Sequence, residues 1–366
     1  MPSAMLDDTQ PTTIPRRGAN RQLRRGSSFA LRLLAALLAV LVGANLCVTL
    51  VFISVYYSAR ARAIAAHETP PHALEVLQTM MPFPTATAVP TPTLPPPTGI
   101  VNVLLMGIDQ RPDETGQPTR TDTMMVLRVD FDNGTAKLLS FPRDVWLALP
   151  NLESYGISEG RINTAYYYGE AYGLPGGGPR EAMDTVALNF GIPLDHYALV
   201  NFDGFVSVVD ALGGIDIDVP ERIYDENFPT EDYGYTTLVI EPGWQHMDGT
   251  LALRYARTRH QDSDTERIKR QQLVLLAIRD QAISADAVSR LPELYTAFDG
   301  SFATDMELPM LISYGLAGQG IDRSQITTYA IDQTMLVAWT TPGGANVWIP
   351  WRASIAPVVE EFLAVP

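Results

Sequence analysis

The chain has 366 residues, 46% of them hydrophobic, and a formal net charge of -15 at pH 7. That acidic balance excludes a nucleic-acid-coating surface and a broad contact with anionic lipid, so any basic site must be local. The lone cysteine, Cys47, excludes a disulfide framework and a cysteine-based zinc site.

Residues 1–32 are polar and arginine-rich and read as a disordered tail. From Leu33 to Tyr57 there are about 25 residues without a charge, enough to cross a hydrocarbon layer of roughly 30 Å as a helix. Arg16, Arg17, Arg21, Arg24, Arg25 and Arg32 precede this run, and only Arg60 and Arg62 closely follow it. The positive-inside rule therefore keeps the N-terminus cytoplasmic and places everything after Tyr57 outside the membrane. The run is longer than the apolar core of about 7 to 15 residues in a cleavable signal, which favours a retained single-pass anchor. Residues 58–98 form an extracytoplasmic linker. Within it Ala63 to Met81 suits a short helix. Pro82 to Thr98, PFPTATAVPTPTLPPPT, suits either an extended spacer rising ~3.1 Å per residue or a flexible tether.

Beyond Gly99 strand and helix patterns alternate, pointing to an α/β body. Val101 to Met106 reads as a buried strand. Thr123 to Phe131 and Ala136 to Phe141 are strands joined through Asp132-Asn133-Gly134, a strong hairpin signal. Gly173 to Pro179 reads as a loop, with no GK[ST] to make it a phosphate cradle, and Arg180 to Phe190 as a helix. His196 to Asn201 is the next strand. Asp203 is placed to cap a helix ending at Gly213-Gly214, ahead of a strand from Ile215 to Val219. Thr265 to Ser284 is a long helix introduced by Ser263, Asp264 and Glu266 in capping-box arrangement. The tail from Leu291 to Pro366 reads as a helix-strand-helix section, packed on the same body or forming a small extra domain. Its three tryptophans, with Trp244, read as core.

Candidate chemistry gathers at strand ends. Asp109 follows the first strand, Asp122 opens the second, and Arg143 and Asp144 follow the third. If the first strand runs antiparallel to the second, these groups share one edge of the sheet, with Arg111 and Arg120 in the adjoining loop. Carboxylates suit a hard divalent cation, and guanidinium forks suit phosphate. Further on, Arg257 and Arg259 share one face of an extended stretch, while Arg267, Arg270 and Gln271 share a face at the start of the long helix. A helix start with two arginines is a plausible diphosphate grip.

The ordered stretches Gly107-Ile-Asp109-Gln-Arg111, Arg120-Thr-Asp122-Thr123, Ser140-Phe-Pro142-Arg143-Asp144, Ile162-Asn163-Thr-Ala165-Tyr166, Val209-Asp210-Ala-Leu-Gly213-Gly214, Tyr255-Ala-Arg257-Thr-Arg259 and Asp264-Thr-Glu-Arg267-Ile-Lys-Arg270-Gln271 resemble the LytR-CpsA-Psr family. The resemblance implies an α/β/α sandwich with a central mixed sheet and an apolar lipid pocket, preceded by one transmembrane helix. Residues 99–290 would be the catalytic domain and residues 291–366 the tail section. It also implies a Mg²⁺-dependent phosphotransferase that moves a glycopolymer from a polyprenyl-pyrophosphate carrier to peptidoglycan, typically at the 6-hydroxyl of N-acetylmuramic acid. By position, Asp109 and Asp122 match the metal and catalytic carboxylates. Arg120, Arg143, Arg257, Arg259, Arg267 and Gln271 match the pyrophosphate set, and Arg111 matches the motif.

Competing readings are a pyrophosphatase, in which water replaces the sugar hydroxyl, and a non-enzymatic envelope lipid- or glycan-binding or regulatory protein. No HExxH motif or G-x-S-x-G elbow supports a zinc or serine hydrolase. With only about 32 tail residues on the cytoplasmic side, direct DNA binding has no folded module to carry it.

Overall fold

The computed structural model describes residues 96–110, 117–230, 234–258, 264–285 and 301–365. The tail, apolar span and most of the linker expected over residues 1–95 lie outside them, as do Arg111, Arg259 and Ser263. No described helix is long and apolar enough to cross a membrane.

The elements follow in order as β1 (Ile100–Ile108), β2 (Thr121–Asp130), β3 (Thr135–Ser140), β4 (Trp146–Ala148), β5 (Glu159–Arg161), α1 (Thr164–Ala171) and α2 (Gly177–Phe190). Next come β6 (His196–Asn201), α3 (Phe202–Ala211), β7 (Ile215–Val219), β8 (Ile223–Pro229), β9 (Tyr235–Ile240) and β10 (Gly243–Met247). The remainder is α4 (Gly249–Arg257), α5 (Asp264–Ser284), β11 (Phe302–Thr304), α6 (Leu308–Gln319), β12 (Ile326–Ala330), β13 (Leu336–Thr340), β14 (Asn346–Pro350) and α7 (Arg352–Leu363).

A six-stranded mixed sheet runs β11-β6-β1-β2-β3-β12. β1 pairs antiparallel with β2 and parallel with β6, and β2 returns through the Asp132-Asn133-Gly134 turn to β3. The turn closes because the Asp130 carboxylate accepts from the backbone N–H groups of Asp132 and Asn133 and from the Asn133 side chain, which also lowers the Asp130 pKa. The period-2 alternation of β1 decides what each face meets. Leu104, Met106 and Ile108 join Met124, Val126 and Leu139 in a core closed by Ala165, Ala182, Met183 and Val186 of α1 and α2 and by Ile355, Val359 and Phe362 of α7. Leu105 and Gly107 face the other way, toward Phe205 and Val208 of α3 and Leu275 and Ile278 of α5. Helices therefore cover both faces of the sheet, an α/β/α arrangement.

Both outer strands come from the tail: β11 adds antiparallel to β6, and β12 adds parallel to β3. The tail holds strands β11 to β14 around α6 and α7, more sheet than the helix-strand-helix pattern predicts. α2 begins at Gly177, inside the stretch read as loop. It does so because α1 and α2 touch through glycine: a Cβ on Gly169 would sit 2.6 Å from the Gly178 Cα, and one on Gly178 would sit 2.5 Å from the Tyr166 carbonyl. α3 is capped by Asn201, whose side chain accepts from Gly204 N–H, rather than by Asp203, which sits in its first turn. The tryptophans read as core are largely on the surface: Trp244, Trp339 and Trp351 are 75%, 40% and 56% exposed.

Glu181 of α2 is buried, with one carboxylate oxygen accepting from Asn151 and the other without a partner. Burial, reinforced by Asp184 and Glu153 against the Asn151 hydrogen bond, pushes its pKa up to about 7. The folded state then binds more protons than the unfolded chain between the ordinary carboxylate range and pH 7, so stability falls as pH rises through that window, by up to about 3 kcal/mol. Glu181→Gln is expected to flatten this dependence. Urea unfolding at pH 5 and pH 8 should show a smaller difference for the variant than for the parent.

Candidate active site

The register of the first three strands brings the acids together. Met106 pairs with Met124 and Gly107 with Thr123, after which the β1–β2 register shifts before Ile108. A Cβ on Gly107 would lie 3.2 Å from the Thr123 Cβ, so the strands approach closely at the point where Asp109 and Asp122 leave the sheet. Both carboxylates line a cavity of about 630 Å³ with Thr119, Arg120, Arg143, Asp144, Arg161, Asn163 and Tyr167. Arg120 is exposed at its rim.

Arg143 anchors this cavity. One Nη donates to Asp122 Oδ2 at 2.9 Å, and its Nε lies 3.4 Å from Asp144 Oδ2. Asp144 also holds Arg161 at 3.0 Å. Burial alone would lower the Arg143 pKa, but Asp122 and Asp144 outweigh it and the net shift is upward. The guanidinium therefore stays charged through any physiological pH, ready for a second anion.

A smaller cavity of about 220 Å³ adjoins the first and shares Asp109, Asp122 and Arg143 with it. Its other walls include Phe202, Arg257, Thr258, Arg267 and Gln271. Arg257 is the last residue of α4, which Asp248 caps at its start, so it is not on the extended stretch that the spacing suggested. Its guanidinium stacks 4.2 Å over the Phe202 ring and lies 3.7 Å from Asp109 Oδ2. Cationic groups near a helix C-terminus are favoured by the dipole, and the ring face holds the planar group in place.

Arg267 and Arg270 are both buried, so they do not form the open helix-start grip expected from their spacing. Arg267 pairs with Asp264 at 2.6 Å and donates to the Asp122 carbonyl at 3.2 Å, which holds the Asp122 backbone. Arg270 donates to the Thr258 carbonyl and fixes the end of α4. Gln271 reaches the small cavity while donating to the Ala256 carbonyl at 3.4 Å.

Gly107, Thr123, Phe202, Arg257 and Gln271 also form the mouth of a third cavity, of about 310 Å³. Beyond the mouth its walls are almost wholly apolar: Leu105, Met125, Ala198, Phe205, Val208, Leu253, Leu275 and Ile278. A polar, guanidinium-lined chamber thus opens directly into an apolar one. Such an arrangement accepts a molecule with an anionic head and a hydrocarbon tail.

Asp109, Asp122, Arg120, Arg143, Arg257, Arg267 and Gln271 all meet at these connected cavities. Arg161 and Tyr167 were missed because β5 is three residues long and α1 eight, too short for a clear period. Asn163 stood in a quoted motif without a role. Its Oδ1 is buried without a hydrogen-bond partner, and the residue is part of the wall of the cavity of the two carboxylates. No cluster of three or more His, Cys, Asp or Glu ligands occurs among the described residues.

A family model described as the LytR_cpsA_psr family matches residues 78–360. The chain is similar to the polyisoprenyl-teichoic acid–peptidoglycan teichoic acid transferase TagV of Bacillus subtilis, 34% identical over 63% of this chain and 55% of that protein. It is also similar to the transferase of the same description, TagU, of Oceanobacillus iheyensis, 31% identical over 63% of this chain and 67% of that protein. The match thus spans little more than half of TagV's length. The crystal structure of B. subtilis TagV superposes with a TM-score of 0.58 at 27% identity, covering 74% of this chain and all of that one.

Proposed function

The chain belongs to the LytR_cpsA_psr family, and from that premise we propose that it is a membrane-anchored phosphotransferase. It would move a glycopolymer from a polyprenyl-pyrophosphate carrier to peptidoglycan on the outer side of the cell membrane, with the run Leu33 to Tyr57 as its anchor. One observation carries this reading: the chamber holding Asp109, Asp122, Arg143 and Arg257 opens through shared walls into an apolar pocket. The diphosphate would lie among the guanidinium groups and the polyprenyl chain in the pocket.

The roles follow from position. Arg143 and Arg257, already fixed by Asp122, Asp144 and the Phe202 ring, would grip the diphosphate oxygens and neutralise charge that builds on the leaving lipid phosphate. Arg120 at the rim would meet the glycan-linked phosphate, with Arg111 and Arg259 assigned there by motif alone. Asp122 would accept the proton of the attacking sugar hydroxyl. That oxygen bonds to the glycan-linked phosphorus as the bond to the bridging oxygen breaks, and the lipid departs as its monophosphate. Arg267 would keep Asp122 in place through its backbone carbonyl.

The oxygen donors suit Mg²⁺, which commonly binds through one or two carboxylates plus substrate phosphates. Asp109 and Asp122, which line one cavity, would hold it. When bound, it supplies charge neutralisation and alignment of the phosphate oxygens.

The test incubates the full-length protein in detergent with a polyprenyl-pyrophosphate glycan, Mg²⁺ and peptidoglycan. A phosphodiester-linked glycan on peptidoglycan is the expected product. Free glycan phosphate as the only product would establish the hydrolytic alternative, and lipid binding without turnover the non-enzymatic one.

A further inference from the structure

A fourth cavity, of about 530 Å³, is lined by Trp146, Glu159, Asn189, Val337, Trp339 and Arg352, among others. The rings of Trp146 and Trp339 stand 6.0 Å apart at 70°, making an aromatic corner. Trp339 is 40% exposed, so this corner is not core. Glu159 accepts from the Trp146 Nε1–H at 3.0 Å and steadies that ring. Arg352, exposed at the rim, donates to the Asn189 carbonyl, which holds its guanidinium in place. Broad aromatic faces with charged groups around them suit pyranose rings, whose C–H faces are apolar and whose edges are hydroxyl.

Position says which sugar. Trp146 pairs with Arg161 across the β4–β5 ladder, so the two side chains share a face. Arg161 lines the large polar cavity, and Trp146 lines the groove. Arg161 also binds Asp144 at 3.0 Å and donates to the Asn346 carbonyl at 3.0 Å, tying the β13–β14 hairpin that bears Trp339 to the polar cavity. Shared walls join the apolar pocket to the small polar chamber and that chamber to the large polar cavity, and the Trp146–Arg161 pair sets the aromatic groove next to the large polar cavity. The groove thus adjoins the cavity that shares no wall with the apolar pocket. In-line displacement of a lipid phosphate requires the attacking hydroxyl to come from the side away from the lipid. The donor already has two anchors, its diphosphate and its tail. The acceptor carries no diphosphate for these arginines and needs a surface of its own.

We propose that the Trp146–Trp339 groove is the acceptor subsite, binding sugar rings of the peptidoglycan glycan chain so that a hydroxyl reaches Asp122. The proposal rests on the transfer reading above. Its test uses the full-length protein, Trp339→Ala and Trp339→Phe, with KM measured separately for donor and for peptide-free peptidoglycan glycan chains. Trp339→Ala is expected to raise the acceptor KM about 10-fold while donor KM and kcat at saturating acceptor stay within about twofold. Trp339→Phe should recover most of the loss, which a merely structural role would not predict. An unchanged acceptor KM overturns the proposal, as does a rise confined to the donor KM, which would assign the groove to the donor's glycan. If the parent gives no transfer product, the transfer reading fails by itself. The groove is then decided by tryptophan fluorescence titration with the same glycan chains: a saturable change lost in Trp339→Ala upholds a saccharide site, and identical traces refute it.

Discussion

Asp122→Asn is expected to lower kcat for transfer by about 10²- to 10⁴-fold, the usual worth of a positioned general base, while leaving the fold intact. Asparagine keeps the size and shape of the side chain but accepts no proton and is a poor metal ligand. The cost to folding is small for a stated reason. The Asp122–Arg143 pair is partly buried, 32% and 19% exposed, and the asparagine oxygen can still accept from Arg143, so the change costs about 1 to 2 kcal/mol. Arg143 keeps Asp144 at 3.4 Å as a second counter-charge, so it is not left as an uncompensated cation. Donor KM should move only a few-fold, because Arg143 and Arg257 still face the diphosphate. A thermal melt and a donor-binding titration separate this outcome from misfolding. Transfer surviving within about twofold would remove Asp122 from the role of base.

What could be read from the sequence, and what could not, divides by range of interaction. The β2–β3 hairpin was legible because Asn133-Gly134 encodes its turn locally, and the convergence of Asp109, Asp122 and Arg143 followed from that hairpin once β1 lay beside it. Strand β6 and strand β7 appear at their predicted limits because glycine, proline and polar residues bound them. Arg257 was misplaced because its local stretch carries charges at alternate positions, while the Asp248 cap and the packing of Tyr255 in the second core make it the end of a helix. Hydrophobicity likewise says nothing of where a tryptophan points, so the exposed ring of Trp339 was read as core. The strand β12 joins β3 across nearly the whole domain, and no local pattern specifies a parallel neighbour so distant in sequence. The apolar pocket is built from alternate residues of β1, β2 and β6 with α3 and α5, so its lining was invisible until the strands were in register.

That register also allows the pocket to be tested apart from the polar site. Ala198 pairs with Leu105, and Val200 pairs with Gly107 at the mouth, so Ala198 sits two residues deeper, roughly 7 Å along the strand. Ala198→Trp would push an indole into a cavity of about 310 Å³ without touching any arginine or carboxylate. Each methylene denied burial costs about 0.8 kcal/mol, so displacing most of one isoprene unit costs about 3 kcal/mol, on the order of 100-fold in affinity. The expected result is a rise of that size in KM for a long-chain polyprenyl donor. A donor whose lipid ends within the mouth should change only about threefold, since its tail never reaches the indole. Filling a cavity that already exists also strains the fold less than overpacking a dense core, where about 1 to 3 kcal/mol is usual. Equal loss for long and short lipids would mean that the indole disturbs the mouth or the diphosphate chamber. Equal retention would mean that the hydrocarbon chain lies elsewhere, and the link between the guanidinium chamber and the apolar pocket would lose its functional meaning.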